Sequence, residues 1–209
     1  MIRVLIADDH AVVRHGLRQI ITSDGQMIIV GEASNGNELL NLARETSVDV
    51  VVLDINMPGR NGLETLKDLK RDYPSLPVII LSMHPEEQYA VRVLKAGAAG
   101  YMNKEAAPDE LVTAIKQVYK GGKYINQQIA ELLAFHIQGD NHAEPHKSLS
   151  DRELEVFYSL ASGKTVGQIS EELNLSVKTI STYRTRILEK MNMTTNAELV
   201  RYALDYNLL

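Results

Sequence analysis

The sequence predicts two folds in series: an α/β domain on a parallel sheet, then a smaller all-helical domain. Five apolar, β-branched segments alternate with amphipathic helical stretches over residues 1–122. Among them Val50, Val51, Val52 and Leu53 form an unbroken apolar run. Such a run suits a strand covered by helices on both faces, whose side chains cannot alternate with polar ones. From residue 148 onward the strand-like runs stop and only helical periodicity remains. A length of 209 residues also favours two domains over one.

Strands are expected at 2–7, 27–32, 48–53, 77–82 and 99–102, and helices at 11–22, 36–45, 62–72, 86–96 and 108–120. Gly25, Gly59, Gly97, Gly100, Pro58, Pro77 and Pro108 punctuate the boundaries. Five such units predict a doubly wound, flavodoxin-like five-stranded parallel sheet of order 2-1-3-4-5. That order sets strands 1 and 3 side by side at the switch point, where open α/β sheets bind ligands.

Residues 123–147 are expected to be a linker with one helix within 124–137. Its second part, QGDNHAEPHK at 138–147, lacks an apolar face and reads as flexible chain, with His136, His142 and His146 solvated rather than metal-bound. Residues 148–209 then hold four helices, at 150–161, 165–173, 177–191 and 196–206. Ser150 and Glu153 form a capping-box start, and Gly163 ends that first helix. A short helix, the turn Asn174, Leu175, Ser176 and a longer helix make a helix-turn-helix pattern. Ile180, Ile187, Leu188 and Met191 repeat at helical spacing and belong to the core. Lys178, Ser181, Thr182, Thr185 and Arg186 fall largely on the opposite side.

Composition narrows the classes. Hydrophobic residues at 44% and charged residues at 23% are ordinary for a globular chain. The lack of cysteine excludes disulfides and thiolate metal sites. No stretch approaches the roughly 18 apolar residues of a membrane span, and no signal-peptide pattern is present, so a cytoplasmic location and no membrane partner are expected. A net charge of −5 opposes DNA binding by the chain as a whole, so any basic surface must be local. Within 178–190, Lys178, Arg184, Arg186 and Lys190 face one acid, Glu189.

The chemistry gathers at the strand ends. Strand 1 delivers Asp8, Asp9 and His10, and strand 3 delivers Asp54. Adjacent carboxylates without a neighbouring Lys or Arg call for a cation. Hard oxygen ligands suit Mg²⁺. One of the two aspartates is expected to cap the following helix while the other meets the metal. Strand 4 ends in Ser82 and strand 5 near Lys104. Carboxylate nucleophile, divalent cation, hydroxyl and ammonium are the parts needed for phosphoryl transfer to an aspartate. A haloacid-dehalogenase-type phosphatase would want a second Asp two residues after the nucleophile, and that position holds Asn56.

The motifs DDH at 8–10, LDINMPGRNG at 53–62, LSMH at 81–84 and GAAGYMNK at 97–104 resemble the receiver domain of bacterial response regulators. The stretch from LSDRELEVF to ELVRYAL resembles the LuxR-type DNA-binding domain. Together they resemble the NarL/FixJ class of two-component response regulators.

The resemblance implies a transcription regulator rather than an enzyme. Asp54 would be the phosphoacceptor, served by a sensor histidine kinase. Asp9 would bind Mg²⁺ directly, Asp8 mainly through water, and Asn56 through its backbone carbonyl. Ser82 and Tyr101 would be the switch pair, and Lys104 would hold the phosphate. Asn56 and His84 would flank the path of attacking water. Ser181, Thr182 and Thr185 would reach base edges of double-stranded promoter DNA, with Lys178, Arg184 and Arg186 nearer phosphates; for Arg184 the alternative is that its spacing from Ile180 and Ile187 turns its stem toward the core. RNA polymerase is a further implied partner.

A homodimer formed on phosphorylation would use a stripe of Leu199, Tyr202, Ala203 and Tyr206 on the last helix, the alternative being that this stripe packs on helix 150–161. In the unphosphorylated state the receiver would cover the recognition helix. The sequence departs from the family pattern in three places: Glu105 stands where many receivers have a cis proline, Ser82 where Thr is commoner, and hydroxyls line the recognition helix where a relative offers Lys. The alternative is a regulator acting without phosphorylation through protein–protein contacts alone.

Overall fold

The computed structural model describes residues 1–57, 59–83, 86–137, 144–206 and 208, without the side chains of 86–88 and 135–137. It divides into two compact units, Met1–Gln138 and Gly139–Leu209. In the first unit the strands are β1 (Ile2–Ala7), β2 (Met27–Ala33), β3 (Val50–Asp54), β4 (Val78–Ser82) and β5 (Gly100–Asn103). They are parallel, in the order β2-β1-β3-β4-β5 foreseen from the sequence. The helices are α1 (Ala11–Ser23), α2 (Gly36–Glu45), α3 (Gly62–Asp72), α4 (Glu86–Lys95) and α5 (Ala107–Tyr119).

Every residue of β3 and β4 is buried, which is why their sequences show no polar alternation. Val4, Ile6, Val50, Val52, Ile79 and Leu81 pack with Leu17 and Ile21 of α1 and with Leu111, Ile115 and Val118 of α5. The pleat turns the alternate residues to the other face, toward α2 and α3.

The chain after α5 follows the free edge of β5 before turning helical. Tyr124 bridges Gly100 in parallel, and its N–H is donated to the Ala99 carbonyl at 2.9 Å. A Cβ on Gly100 would lie 2.8 Å from the Tyr124 carbonyl oxygen, so this close edge contact requires glycine. An exposed strand edge is thereby covered. The next helix, α6 (Gln127–Ile137), packs on α4.

The second unit holds α7 (Asp151–Ala161), α8 (Val166–Glu172), α9 (Val177–Lys190) and α10 (Asn196–Asp205). The expected Ser150–Glu153 capping box starts α7, and similar boxes start α8 (Thr165, Gln168) and α10 (Thr195, Glu198). Between α8 and α9, Asn174 takes φ +50°, and the Ser176 hydroxyl accepts the Thr179 N–H at 3.0 Å. Asparagine tolerates that left-handed geometry, so the turn closes in three residues.

Two expectations for this unit are overturned. Leu199, Tyr202 and Ala203 are buried because α10 lays them on α7, so they offer no pairing surface, and only Tyr206 of that stripe stays exposed. Nor is the end of the linker solvated. Residues Pro145–Ser148 form a 3-10 turn, and His146 is buried with Nδ1 2.8 Å from the Tyr202 hydroxyl oxygen. The phenol supplies a polar partner that lets an imidazole enter an apolar core. Burial pushes the Tyr202 phenol up to about 12. His142 lies outside the described residues, as does the His136 side chain.

Candidate functional site

Strands β1, β3 and β4, with the turn leaving β5, bring Asp8, Asp54, Ser82 and Lys104 to the carboxyl edge of the sheet. Asp54 closes β3 and is 2% exposed. Lys104 Nζ lies 2.8 Å from Asp54 Oδ2 and 2.6 Å from Asp8 Oδ2, bridging two buried carboxylates. Asp54 Oδ1 accepts the Asn56 N–H at 3.2 Å. Gly62 makes room behind it, since a Cβ there would sit 2.3 Å from the Asp54 carbonyl oxygen.

Burial raises Asp54 to about 6, against the pull of Lys104 and with a further push from Asp8. For Lys104 burial acts downward, but Asp54 and Asp8 outweigh it and the ammonium is held above its ordinary value. The pair therefore keeps a firm cation beside a carboxylate that titrates just below neutral pH.

Neither aspartate of the Asp8–Asp9 pair caps α1, contrary to expectation. The N-cap is His10, without a side-chain cap bond. Asp8 is turned inward, where Lys104 holds one oxygen while the other accepts the His10 N–H at 2.8 Å. Asp9 is half-buried, with Oδ1 2.7 Å from His10 Nδ1. Asp8, Asp9, His10 and Asp54 each offer one ligand atom, all within 4.8 Å of one another. Three carboxylates against one ammonium leave two negative charges, and hard oxygen donors predominate. This donor set fits a small divalent cation.

Ser82 is fully buried at the end of β4, in register with Asn103, and the buried ring of Tyr101 is in register with Ile80. The two residues of the expected switch pair thus stand on adjacent strands. His84 lies outside the described residues. Where a cis proline was missing from the sequence, residues Lys104–Ala106 form a 3-10 turn, and Asn103 Oδ1 accepts the Glu105 N–H at 2.9 Å. A proline at 105 would lack that donor.

On α9, Lys178, Ser181, Thr182, Thr185 and Arg186 are exposed, while Ile180, Ile187, Leu188 and Met191 are buried. Arg184 departs from this face: it is half-buried, and Nε donates to Asn196 Oδ1 at 2.7 Å. Thr182 and Thr185 donate their hydroxyl hydrogens to the Lys178 and Ser181 carbonyls, at 2.9 and 3.1 Å. Outward they present methyl groups and oxygen lone pairs. A shallow groove beside them is lined by Ser176, Lys178, Thr179, Thr182, Tyr183 and Arg186.

Comparison with known proteins agrees with both halves. Residues 4–116 match the response regulator receiver domain, and residues 147–203 match the luxR family of bacterial regulatory proteins. The response regulator UvrY of Escherichia coli K12 is 41% identical over 209 residues, covering 100% of this chain and 96% of that protein. The chain is a two-component response regulator of the NarL/FixJ class.

Response regulator GacA of Pseudomonas aeruginosa is likewise 41% identical to this regulator, over 100% of its chain and 98% of GacA. Among solved structures, RcsB from Salmonella enterica serovar Typhimurium, bound to promoter rprA with a phosphomimetic, aligns over 96% of the regulator and 97% of that chain. The identity is 29% and the TM-score 0.65. The regulator is thus a DNA-binding protein that controls transcription. Among its described residues no helix is long and apolar enough to cross a membrane.

His10, Val177 and Tyr183 had no role assigned from the sequence alone. His10 stands within reach of both Asp8 and Asp9, and Val177 opens the recognition helix as an exposed apolar residue. Val177 falls on the core spacing of the helix, three residues before Ile180, yet in its first turn it is left exposed.

Proposed function

We propose that Asp54 accepts a phosphoryl group from a sensor histidine kinase and that the phosphorylated regulator binds promoter DNA as a dimer. The observation that carries this is Asp54 itself, buried beside Lys104 and titrating near 6. At neutral pH it is mostly ionised. A carboxylate oxygen then forms the new bond to phosphorus as the bond to the donor's imidazole nitrogen breaks, and the leaving nitrogen takes the electron pair. Lys104 turns from the carboxylates toward the phosphoryl oxygens, and the Ser82 hydroxyl donates to one of them. Asp8, Asp9, Asp54 and the Asn56 backbone carbonyl would hold Mg²⁺, which when bound supplies positive charge to the equatorial oxygens.

On the DNA side, Ser181, Thr182 and Thr185 meet base edges, with Lys178 and Arg186 on phosphates. Arg184 serves mainly to tie α9 to α10, a narrower role than its charge suggests. Pairing uses the outward face of α10, where Ala197, Arg201 and Leu204 are exposed and Leu204 is 61% exposed. Two recognition helices then meet half-sites about one helical turn, roughly 10 base pairs, apart. A promoter-bound pair meets RNA polymerase as its third partner, and these partners place the regulator in the cytoplasm.

The test is incubation with acetyl phosphate and Mg²⁺, followed by gel analysis, sedimentation and DNA binding. Wild type should gain an acid-stable, base-labile phosphoryl group, double its mass and bind promoter DNA more tightly. Asp54→Asn should do none of these. Equal binding and mass with and without label would sink the proposal.

A further inference from the structure

We infer that Asn103 is a positioning residue for Lys104, fixing the backbone turn from which the lysine reaches the carboxylates. The inference rests on the proposed role of Lys104 in holding the phosphoryl group. A lysine head hangs on four rotatable bonds, so its placement between Asp8 and Asp54 depends on where its own backbone is held.

On the strand side that backbone is fixed by the register of Asn103 with Ser82. Beyond the strand, two hydrogen bonds define the turn. The Ala107 N–H is donated to the Lys104 carbonyl, which closes the 3-10 turn. The Glu105 N–H is donated to Asn103 Oδ1 at 2.9 Å, which opens it. The second is the only one of the two that depends on a side chain. An aspartate-like or asparagine-like oxygen at this position folds the chain locally, independently of the sheet.

The chemistry follows from which atom is fixed. Asn103 is half-buried and its side-chain oxygen bonds the Glu105 N–H, while Lys104 Nζ makes both carboxylate contacts, at 2.6 and 2.8 Å. Without the Asn103 acceptor, the Glu105 N–H turns to water and the turn samples other conformations. The ammonium then spends less time between the carboxylates, and less time on the incoming phosphoryl group. The loss is one of positioning and leaves the ammonium itself intact.

The experiment is a set of full-length variants: Asn103→Ala, Asn103→Ser, Lys104→Ala and the Asn103→Ala/Lys104→Ala double. Phosphorylation by acetyl phosphate with Mg²⁺ gives the rate. Asn103→Ala should slow it by roughly five- to tenfold, the size of effect that loss of a capping side chain produces. Asn103→Ser retains an acceptor and should recover most of the rate. In the double variant the Asn103 change should add nothing to the loss from Lys104→Ala, because residues acting through one another are not additive.

A second readout needs no phosphorylation. Lys104 is held by two carboxylates and should resist acylation by an amine-reactive reagent, measured by mass spectrometry. Asn103→Ala should raise that reactivity severalfold while reactivity at the exposed Lys178 stays unchanged. The inference fails if the double variant is slower than Lys104→Ala by the full Asn103 factor, if serine rescues nothing, or if Lys104 acylation is unmoved. A wild type that takes no phosphoryl group, beside an Asn103→Ala variant whose Lys104 is more readily acylated, would sink the proposed function and leave the positioning role standing.

Discussion

Replacing the candidate phosphoacceptor should make the receiver more stable, by an amount that depends on pH in a defined way. Burial raises Asp54 from 3.8 to about 6, with Lys104 already helping the charged form. Ionising it in the folded protein is therefore about 3 kcal/mol harder than in the unfolded chain, at about 1.4 kcal/mol per tenfold. The raised folded value fixes the sign. Its contribution to stability is fully present below pH 3.8 and is lost as pH rises through about 6. Asparagine has nearly the shape of the protonated acid and does not ionise, so Asp54→Asn escapes that loss.

The variant should match wild type near pH 4 and exceed it by about 3 kcal/mol at pH 7.5, a rise in Tm of roughly 10 °C for a unit of this size. Calorimetry of the full chain from pH 4 to 8 with EDTA measures this, and the second unit's transition serves as an internal reference. Other carboxylates titrate in the same window but largely cancel in the difference between the two proteins. Saturating Mg²⁺ should close the gap, since a cation at a hundredfold excess over its Kd adds about 2.7 kcal/mol to the protein that binds it. An Asp54→Asn protein less stable than wild type at pH 7.5, or equally advantaged at pH 4, would refute the reasoning.

Four further outcomes are expected. Gly62→Ala should destabilise the receiver by at least about 1–3 kcal/mol in urea denaturation, because the new Cβ meets the Asp54 carbonyl oxygen and the Ile55 Cα at 2.3 and 2.5 Å. Lys178→Ala and Arg186→Ala should each reduce the salt dependence of DNA binding by about one phosphate contact. Arg184→Ala should leave that slope almost unchanged and lower the melting temperature of the second unit instead. Thr195→Ala should cost about 1 kcal/mol in the same unit by opening the α10 capping box, read by thermal melting.

The strand order was legible because buried parallel strands leave a mark that few other elements leave, an apolar run closed by turn residues. Residues 50–53 ending in Asp54 show it most clearly, and the strand-end positions of Asp8 and Ser82 followed from the same pattern. What lay beyond the sequence was the identity of partners. The stripe of Leu199, Tyr202 and Ala203 announced a buried face, but periodicity is the same whether α7 or a second chain does the burying. The spacing of Arg184 from Ile180 and Ile187 pointed its stem toward the core, but its partner there, Asn196, depends on where α10 crosses α9. A histidine in a polar segment looks solvated until a Tyr202 arrives from 56 residues away. The edge contact of Tyr124 with Gly100 belongs to the same class, since neither residue carries a pairing signal of its own.

The two units meet charge in opposite ways, and this sets what phosphorylation has to accomplish. At Asp54 three carboxylates and one ammonium are packed where water screens poorly, so added negative charge has large consequences for neighbouring groups. Along α9 Lys178 and Arg186 are exposed and screened, so the phosphate contacts proposed for them would weaken steeply with salt. Ser181, Thr182 and Thr185, proposed above to meet base edges, are exposed side chains of α9. One such helix with a few phosphate contacts binds too weakly at physiological salt, and two on one duplex add their contacts. A shift of 1:99 to 99:1 between states requires about 5.5 kcal/mol of differential stabilisation. Moving Lys104 from two carboxylates to a phosphoryl group exchanges one set of poorly screened partners for another, so only the difference between them contributes to such a shift. In the proposed switch, then, the buried site biases the equilibrium, pairing through α10 converts that bias into affinity, and α9 supplies the specificity.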